Sequence, residues 1–221
     1  MPLTDERLSE ISDMLPVCRV IADIGADHGR LGAHLIKTRK CEKVWFSDIS
    51  APSLDKARAL VKRLSLDEYA EFYVGDGAFA LPSAPDAAVM AGMGGTTIAR
   101  IVKSGREILQ NAKLVMEPNV GAGELRKCLS ESGFRITEER IVRAARRWYV
   151  LISAEAGEAR YSQEELIVGP RLLQGGGEML KQYSAFRLRV AEKALFGARK
   201  SINADTESLE KEAAVWKEIC Q

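Results

Sequence analysis

The chain of 221 residues holds only four cysteines, Cys18, Cys41, Cys128 and Cys220. They are scattered, with no C-x-x-C and no Cys/His pairing. A zinc site and a disulfide framework are therefore not expected, and reduced thiols in a cytoplasmic protein are. No run of 18 apolar residues is present, so no membrane span is expected. The start, Met1-Pro2-Leu3-Thr4-Asp5-Glu6, is polar and acidic, unlike a signal peptide. Excess charge of one sign is also missing. The formal net charge is +1, which neither requires nor excludes nucleic acid, because a local patch suffices to bind it. Internal repeats and low-complexity segments are absent, and so is the dinucleotide fingerprint G-x-G-x-x-G. What remains is an ordinary globular composition, 46% hydrophobic and 29% charged.

The positive signal begins at Val20. An apolar run ends in Asp23-Ile24-Gly25-Ala26-Asp27-His28-Gly29, and a helical pattern follows. Strand, glycine turn and helix in that order build a nucleotide-type pocket at the carboxyl edge of a sheet. Gly25 and Gly29 permit positive φ or close approach of a ligand to backbone. A carboxylate ahead of the first glycine suits amines and hydroxyls better than a pyrophosphate, and S-adenosylmethionine carries both.

Alternation continues along the chain. Strands are predicted at 20–24, 43–48, 71–76, 86–92, 112–117, 134–142 and 147–154. Helices are predicted at 4–15 (capped by Thr4), 30–38, 52–64, 96–110 and 121–132. The expected fold is α/β: a Rossmann-like, mostly parallel seven-stranded sheet, its last two strands forming an antiparallel edge. From about residue 158 the strand signals vanish. Segments 163–173, 178–195 and 205–219 read as helical, with 197–204 as a turn. One seam is Leu180, Tyr183 and Val190. The other is Leu209, Ala213, Trp216 and Ile219. Two domains follow, 1–157 for the ligand and 158–221 as a helical, coiled-coil-like extension.

Three acids, Asp23, Asp48 and Asp76, close three successive strands and so open on one crevice. Asp48, about 25 residues after the first strand, suits ribose hydroxyls, with Ile49 beside it. Asp76, with backbone at Gly77, suits an adenine amino group. Asp27 or the Asp23 region suits a methionine ammonium. Ala91-Gly92-Met93-Gly94-Gly95 leaves room for a flat group near Gly92 and Met93. Asn119 is read either as a donor to a base edge or as a helix cap. His28 is read either as fixing its turn or as catalytic, and His34 as structural.

These motifs resemble the bacterial tRNA (adenine-22-N1)-methyltransferases. The resemblance rests on A-D-I-G-x-D-H-x-x-L at Ala22 to Leu31, G-D-G at Gly75 to Gly77, and A-G-M-G-G at Ala91 to Gly95. It also rests on Pro118-Asn119, on the Arg7-Leu8 helix start and on the helical C-terminal extension. Two positions depart from it. Ser47-Asp48-Ile49 stands where the family has Glu-Val, and Glu117 where Gln is usual. The resemblance implies a class I S-adenosylmethionine-dependent methyltransferase that modifies tRNA. Asp27 and Asn119, placed at the ends of the first and fifth strands on the same crevice as Gly92–Gly95, are expected to border the adenine and the sulfonium, and no metal is expected. For RNA, the candidate cations are Arg7, Arg143, Arg146, Arg147, Arg187, Arg189 and Lys193, with Arg135 and Arg140 near the last strands. A monomer without membrane attachment is expected. The rival expectations are a methyltransferase of another substrate, a non-catalytic nucleoside-binding module and, least supported, a dehydrogenase.

Overall fold

Seven strands carry the first unit of the computed structural model, which describes residues 5–200 and 206–220. They are β1 (Cys18–Ile24), β2 (Cys41–Asp48), β3 (Ala70–Val74), β4 (Ala87–Met93), β5 (Lys113–Pro118), β6 (Phe134–Ala144) and β7 (Arg147–Ala156). Their order is β3-β2-β1-β4-β5-β7-β6. The first five pair in parallel; β7 runs antiparallel to both β5 and β6. The strand order reverses between β1 and β4, which sets a crevice at their carboxyl ends. The expected doubly wound sheet with an antiparallel edge is the observed one.

Helices α1 (Glu6–Met14), α2 (Arg30–Lys37) and α3 (Ala51–Arg63) cover one face. Ile11, Met14, Leu31, Leu35, Leu54, Ala57 and Val61 pack there against Ile21, Val44, Phe46, Val89 and Val115. Each large side chain removed from water in this cluster contributes about 1.5–3 kcal/mol. Central strands are buried on both faces, which explains their continuous apolar runs. Helices α4 (Gly95–Ser104), α5 (Arg106–Leu109) and α6 (Ala122–Glu131) follow β4 and β5. A buried ion pair, Arg126 Nε to Glu139 Oε1 at 2.8 Å, joins α6 to β6.

Three local expectations are corrected. Asp5 caps α1, accepting from the Arg7 N–H at 3.1 Å; Thr4 lies outside the described residues. The helix expected at 96–110 is two helices, because the chain bends at Gly105. A Cβ there would sit 2.4 Å from that of Ala78. Asn119 caps nothing: the N-cap of α6 is Gly121, which makes no side-chain bond.

The second compact unit spans Tyr161–Gln221. Helix α7 (Gln163–Val168) starts with a Ser162/Glu165 capping box. Helix α8 (Pro170–Gly175) is separate from it, since Gly169 turns at φ 123° just before Pro170. Helices α9 (Glu178–Ala198) and α10 (Thr206–Ile219) pack antiparallel. The Tyr183 and Trp216 rings meet edge to face at 5.6 Å, and Arg187 pairs with Glu212 at 2.6 Å. Val190 is not in the seam. It is 44% exposed, and Ala191, 100° further round the helix, takes its place. Of the expected turn, residues 201–204 lie outside the described residues, as does Asp205.

Candidate active site

The β1–α2 turn is held by hydrogen bonds to the neighbouring strand. Ser47 O accepts from the N–H groups of Gly25 (2.7 Å) and Ala26 (3.1 Å). Gly25 sits at φ +76°, and Met93 covers the place where a Cβ would stand. Asp27 also adopts positive φ, +43°, a conformation Asp tolerates better than most residues. Its carboxylate bonds to His28 Nδ1, and its N–H donates to Asp48 Oδ2 at 3.4 Å. Gly29 has a packing reason as well: a Cβ would lie 2.7 Å from that of Ala57, so α2 could not approach α3.

A crevice of about 470 Å³ opens at this turn. Asp23, Gly25, Asp27, His28, Gly92 and Met93 all line it. Arg7 lines it too. Gly92 has φ +78° and open space above it: a methyl group placed there would meet Arg7 Nη1 first, at 3.9 Å. Asp48 stands beside the crevice through its bond to Asp27. Its other oxygen accepts from the Ser50 N–H at 2.8 Å. Asn119 is exposed and follows the end of β5, its N–H bonded to Met93 O at 2.8 Å. Asp76 and Gly77 lie further along the same edge, after β3. There Arg100 grips both Asp76 oxygens, at 2.7 and 3.2 Å. Ile49 is 71% exposed next to Asp48. His34 stays in α2 away from the crevice, where burial lowers its pKa.

Asp23 is a buried carboxyl lining the crevice. Burial pushes its pKa up to about 7, against a stabilising Gly32 N–H, with the Asp48 carboxylate adding to the rise. A buried carboxyl without a cation is a place a ligand's positive group can occupy favourably.

The feature that sequence reasoning missed is a clasp under the crevice. Glu117 is fully buried at the end of β5. Its Oε2 accepts from Arg7 Nη1 at 2.7 Å and from the Gly92 N–H at 2.9 Å. The Arg7 guanidinium also lies 5.2 Å over the Tyr149 ring. An acid inside the apolar run Leu114-Val-Met-Glu-Pro118 is the signal that marks it. This clasp corrects the reading of Arg7 as a free RNA contact, because its charge is already spent on Glu117. Arg187 is likewise held by Glu212, and Arg140 by Glu10 and Glu138. Among the described residues no ion pair involves Arg143, Arg146, Arg147, Arg189 or Lys193.

A larger cavity, about 850 Å³, lies at the opposite edge by Val17, Cys18, Ile36, Cys41, Leu66 and Tyr69. It has neither the glycine turns nor the strand-end carboxylates, so the chemistry belongs to the crevice. No group of three metal-ligating side chains occurs among the described residues, and no helix there is long and apolar enough to cross a membrane.

A reversed strand order with glycine turns and carboxylates at its carboxyl edge defines the class of nucleotide-type α/β enzymes. Residues 4–152 match the family described as "Methyltransferase domain". The tRNA (adenine(22)-N(1))-methyltransferase of Bacillus subtilis is 27% identical over 172 residues, 77% of this chain and 72% of that one. A Mycoplasma pneumoniae protein provisionally named a tRNA methyltransferase is 31% identical, over 68% of this chain and 71% of its own. A Streptococcus pneumoniae protein, provisionally named a tRNA (m1A22) methyltransferase and solved with S-adenosyl-L-methionine, superposes with a TM-score of 0.87. It is 25% identical, and the match covers 98% of this chain and 99% of that one. The chain belongs to the methyltransferase-domain family, and within it is similar to the tRNA (adenine-22-N1)-methyltransferases.

Proposed function

We propose that this protein transfers a methyl group from S-adenosylmethionine to N1 of adenine 22 in tRNA. The observation that carries the reading is the crevice itself. Buried Asp23, the Gly25 turn, Asp27 and open Gly92 face one space, with Asp48 beside it. The residues fit the donor. Asp23 and Asp27 supply negative charge for an ammonium, and Asp48 has spare acceptor capacity for ribose hydroxyls. Asp76 keeps a lone pair on each oxygen for an adenine amino group even with Arg100 in place. The donor, when bound, supplies an electrophilic sulfonium methyl.

N1 of adenine is a neutral nucleophile with a lone pair, so no base has to remove a proton before attack. The protein's work is to hold the reacting atoms about 3–3.5 Å apart and in line. Asp27 and Asn119, at the ends of β1 and β5, border that point. Positive charge moves onto the purine during transfer, and the Asp27 carboxylate stabilises it there. His28, bonded to that carboxylate, orients it. A target inside folded RNA leaves its stack to reach the crevice. We place the protein in the cytoplasm as a monomer, with residues 1–157 holding the donor and 158–221 as an extension for the RNA.

Primer extension on unmodified tRNA tests the reading, because N1-methyladenine blocks Watson–Crick pairing. A donor-dependent stop at adenine 22 is expected. Its absence, with S-adenosylhomocysteine still binding in calorimetry, would assign the crevice to another substrate. Asp48→Ala should weaken that binding by about 1–3 kcal/mol, the scale for losing charged hydrogen bonds.

A further inference from the structure

The β6–β7 hairpin reaches past the edge on which the crevice opens. β5 pairs with β7 at Leu114↔Ala154, Val115↔Ser153 and Met116↔Ile152. Two more steps of that register set Pro118, the last residue of β5, level with Val150. Beyond Val150 the hairpin continues through three more pairs, Val142↔Tyr149, Arg143↔Trp148 and Ala144↔Arg147. At about 3.3 Å per residue the overhang is roughly 10 Å. β6 runs in the same direction as β5, so the hairpin turn lies at the carboxyl edge.

The overhang is basic. Arg143, Arg146 and Arg147 are exposed, and no ion pair among the described residues involves them. Arg143 stacks over the Trp148 ring at 5.2 Å, which fixes a planar cation on a planar aromatic. The two turn residues, Ala145 and Arg146, have φ of +47° and +65°. Such a tight turn favours Asn-Gly. An arginine is kept at a position where glycine would relax the backbone. The hairpin base is tied to the crevice as well: Tyr149, one step below Trp148, carries the Arg7 guanidinium that lines it.

We infer that the β6–β7 tip is an RNA-docking finger. It grips phosphates flanking the target nucleotide and so sets which base faces Asn119 and Gly92. The inference rests on the function proposed above and adds the surface that fixes register. Three solvent-facing guanidiniums, one of them held on an aromatic ring, suit phosphate oxygens, and a stacked arginine is more weakly hydrated than a lysine and easier to desolvate.

The test is a triple variant, Arg143→Gln, Arg146→Gln and Arg147→Gln, in the full chain. A control of equal charge change, Arg19→Gln, Lys37→Gln and Arg39→Gln, lies at the opposite edge. Transfer RNA binding is followed by fluorescence anisotropy across a salt series, and S-adenosylhomocysteine binding by calorimetry. The hairpin variant should bind tRNA at least about tenfold more weakly. Its plot of log affinity against log salt should be shallower by about 2 to 3, near one for each phosphate no longer neutralised. Cofactor binding should stay unchanged in both variants, and the control should keep the wild-type salt slope. An unaltered slope in the hairpin variant, with wild type binding and methylating tRNA, overturns the finger and leaves the proposed function standing. So does an equal loss in the control. A wild type that binds the cofactor product but no tRNA overturns both.

Discussion

Replacing Arg7 with methionine keeps much of its packing and removes its charge. Glu117 is then left fully buried, with only the Gly92 N–H on Oε2 and no protein partner on Oε1. Removing one member of a buried ion pair costs about 3–5 kcal/mol. Arg7 is 19% exposed, so the lower end, about 3 kcal/mol, applies. That is roughly 6–12 °C in Tm at the 2–4 °C per kcal/mol typical of chains this long. Glu117→Gln alone should cost about 1 kcal/mol, since an amide oxygen still accepts from both donors. The double variant should lose only about 2 kcal/mol instead of the additive 4. The resulting coupling of about 2 kcal/mol is within the range for groups in contact. Urea unfolding followed by circular dichroism measures all four corners of the cycle. The pH dependence adds a second check. Burial holds the Glu117 pKa above its ordinary 4.5, and Arg7 opposes that rise. Without Arg7 the folded-state pKa climbs further. A raised folded pKa gives a contribution present below the unfolded value and lost as pH rises through the folded one. The deficit of Arg7→Met should therefore be full at neutral pH and shrink toward pH 4. Additive losses within 0.5 kcal/mol, or a deficit independent of pH, would refute the clasp as the source of the energy.

Asp23→Asn should flatten the pH dependence of the ligand-free protein. Asp23 rises from 3.8 to about 7, so wild-type stability should fall between pH 4 and 7 at up to about 1.4 kcal/mol per unit; parallel curves for the two proteins in urea titrations count against it. Arg126→Met should cost about 3–5 kcal/mol by stranding Glu139, and adding Glu139→Leu should restore most of it, measured by the same unfolding curves. Gly95→Ala puts a Cβ 2.0 Å from Gly121 O, a backbone atom that cannot step aside, and should lower Tm by several degrees in a calorimetric scan. Gly197→Ala, in α9 with open space around it, should raise stability by up to about 1 kcal/mol in the same scan.

The sheet was legible because its signals are local. Each parallel strand is an apolar run closed by acid or glycine, and the observed ends differ from the expected ones by only a few residues. A local signal for the α7/α8 break was legible too, since Pro170 lacks an N–H and keeps Gly169 out of the helical region, but the reading of 163–173 as one helix passes over it. The bend at Gly105 was not, because its cause is Ala78, a neighbour on another element. The same division runs through the site. Asp23, Gly25, Asp27 and Gly92 share a crevice because strand-end positions are dictated by the sheet. What a charge does there depends on where its partner comes from. Arg7 meets Glu117 across 110 residues and Arg140 meets Glu10 across 130. In sequence these arginines look no different from Arg143 or Arg147. Only folding separates cations consumed internally from those left facing solvent, and among the latter it gathers Arg143, Arg146 and Arg147 at one hairpin tip. It also explains why Glu117 reads as an anomaly in sequence. Arg7 and Gly92, its two donors, come from α1 and β4, so the strand that carries the acid holds no hint of what neutralises it.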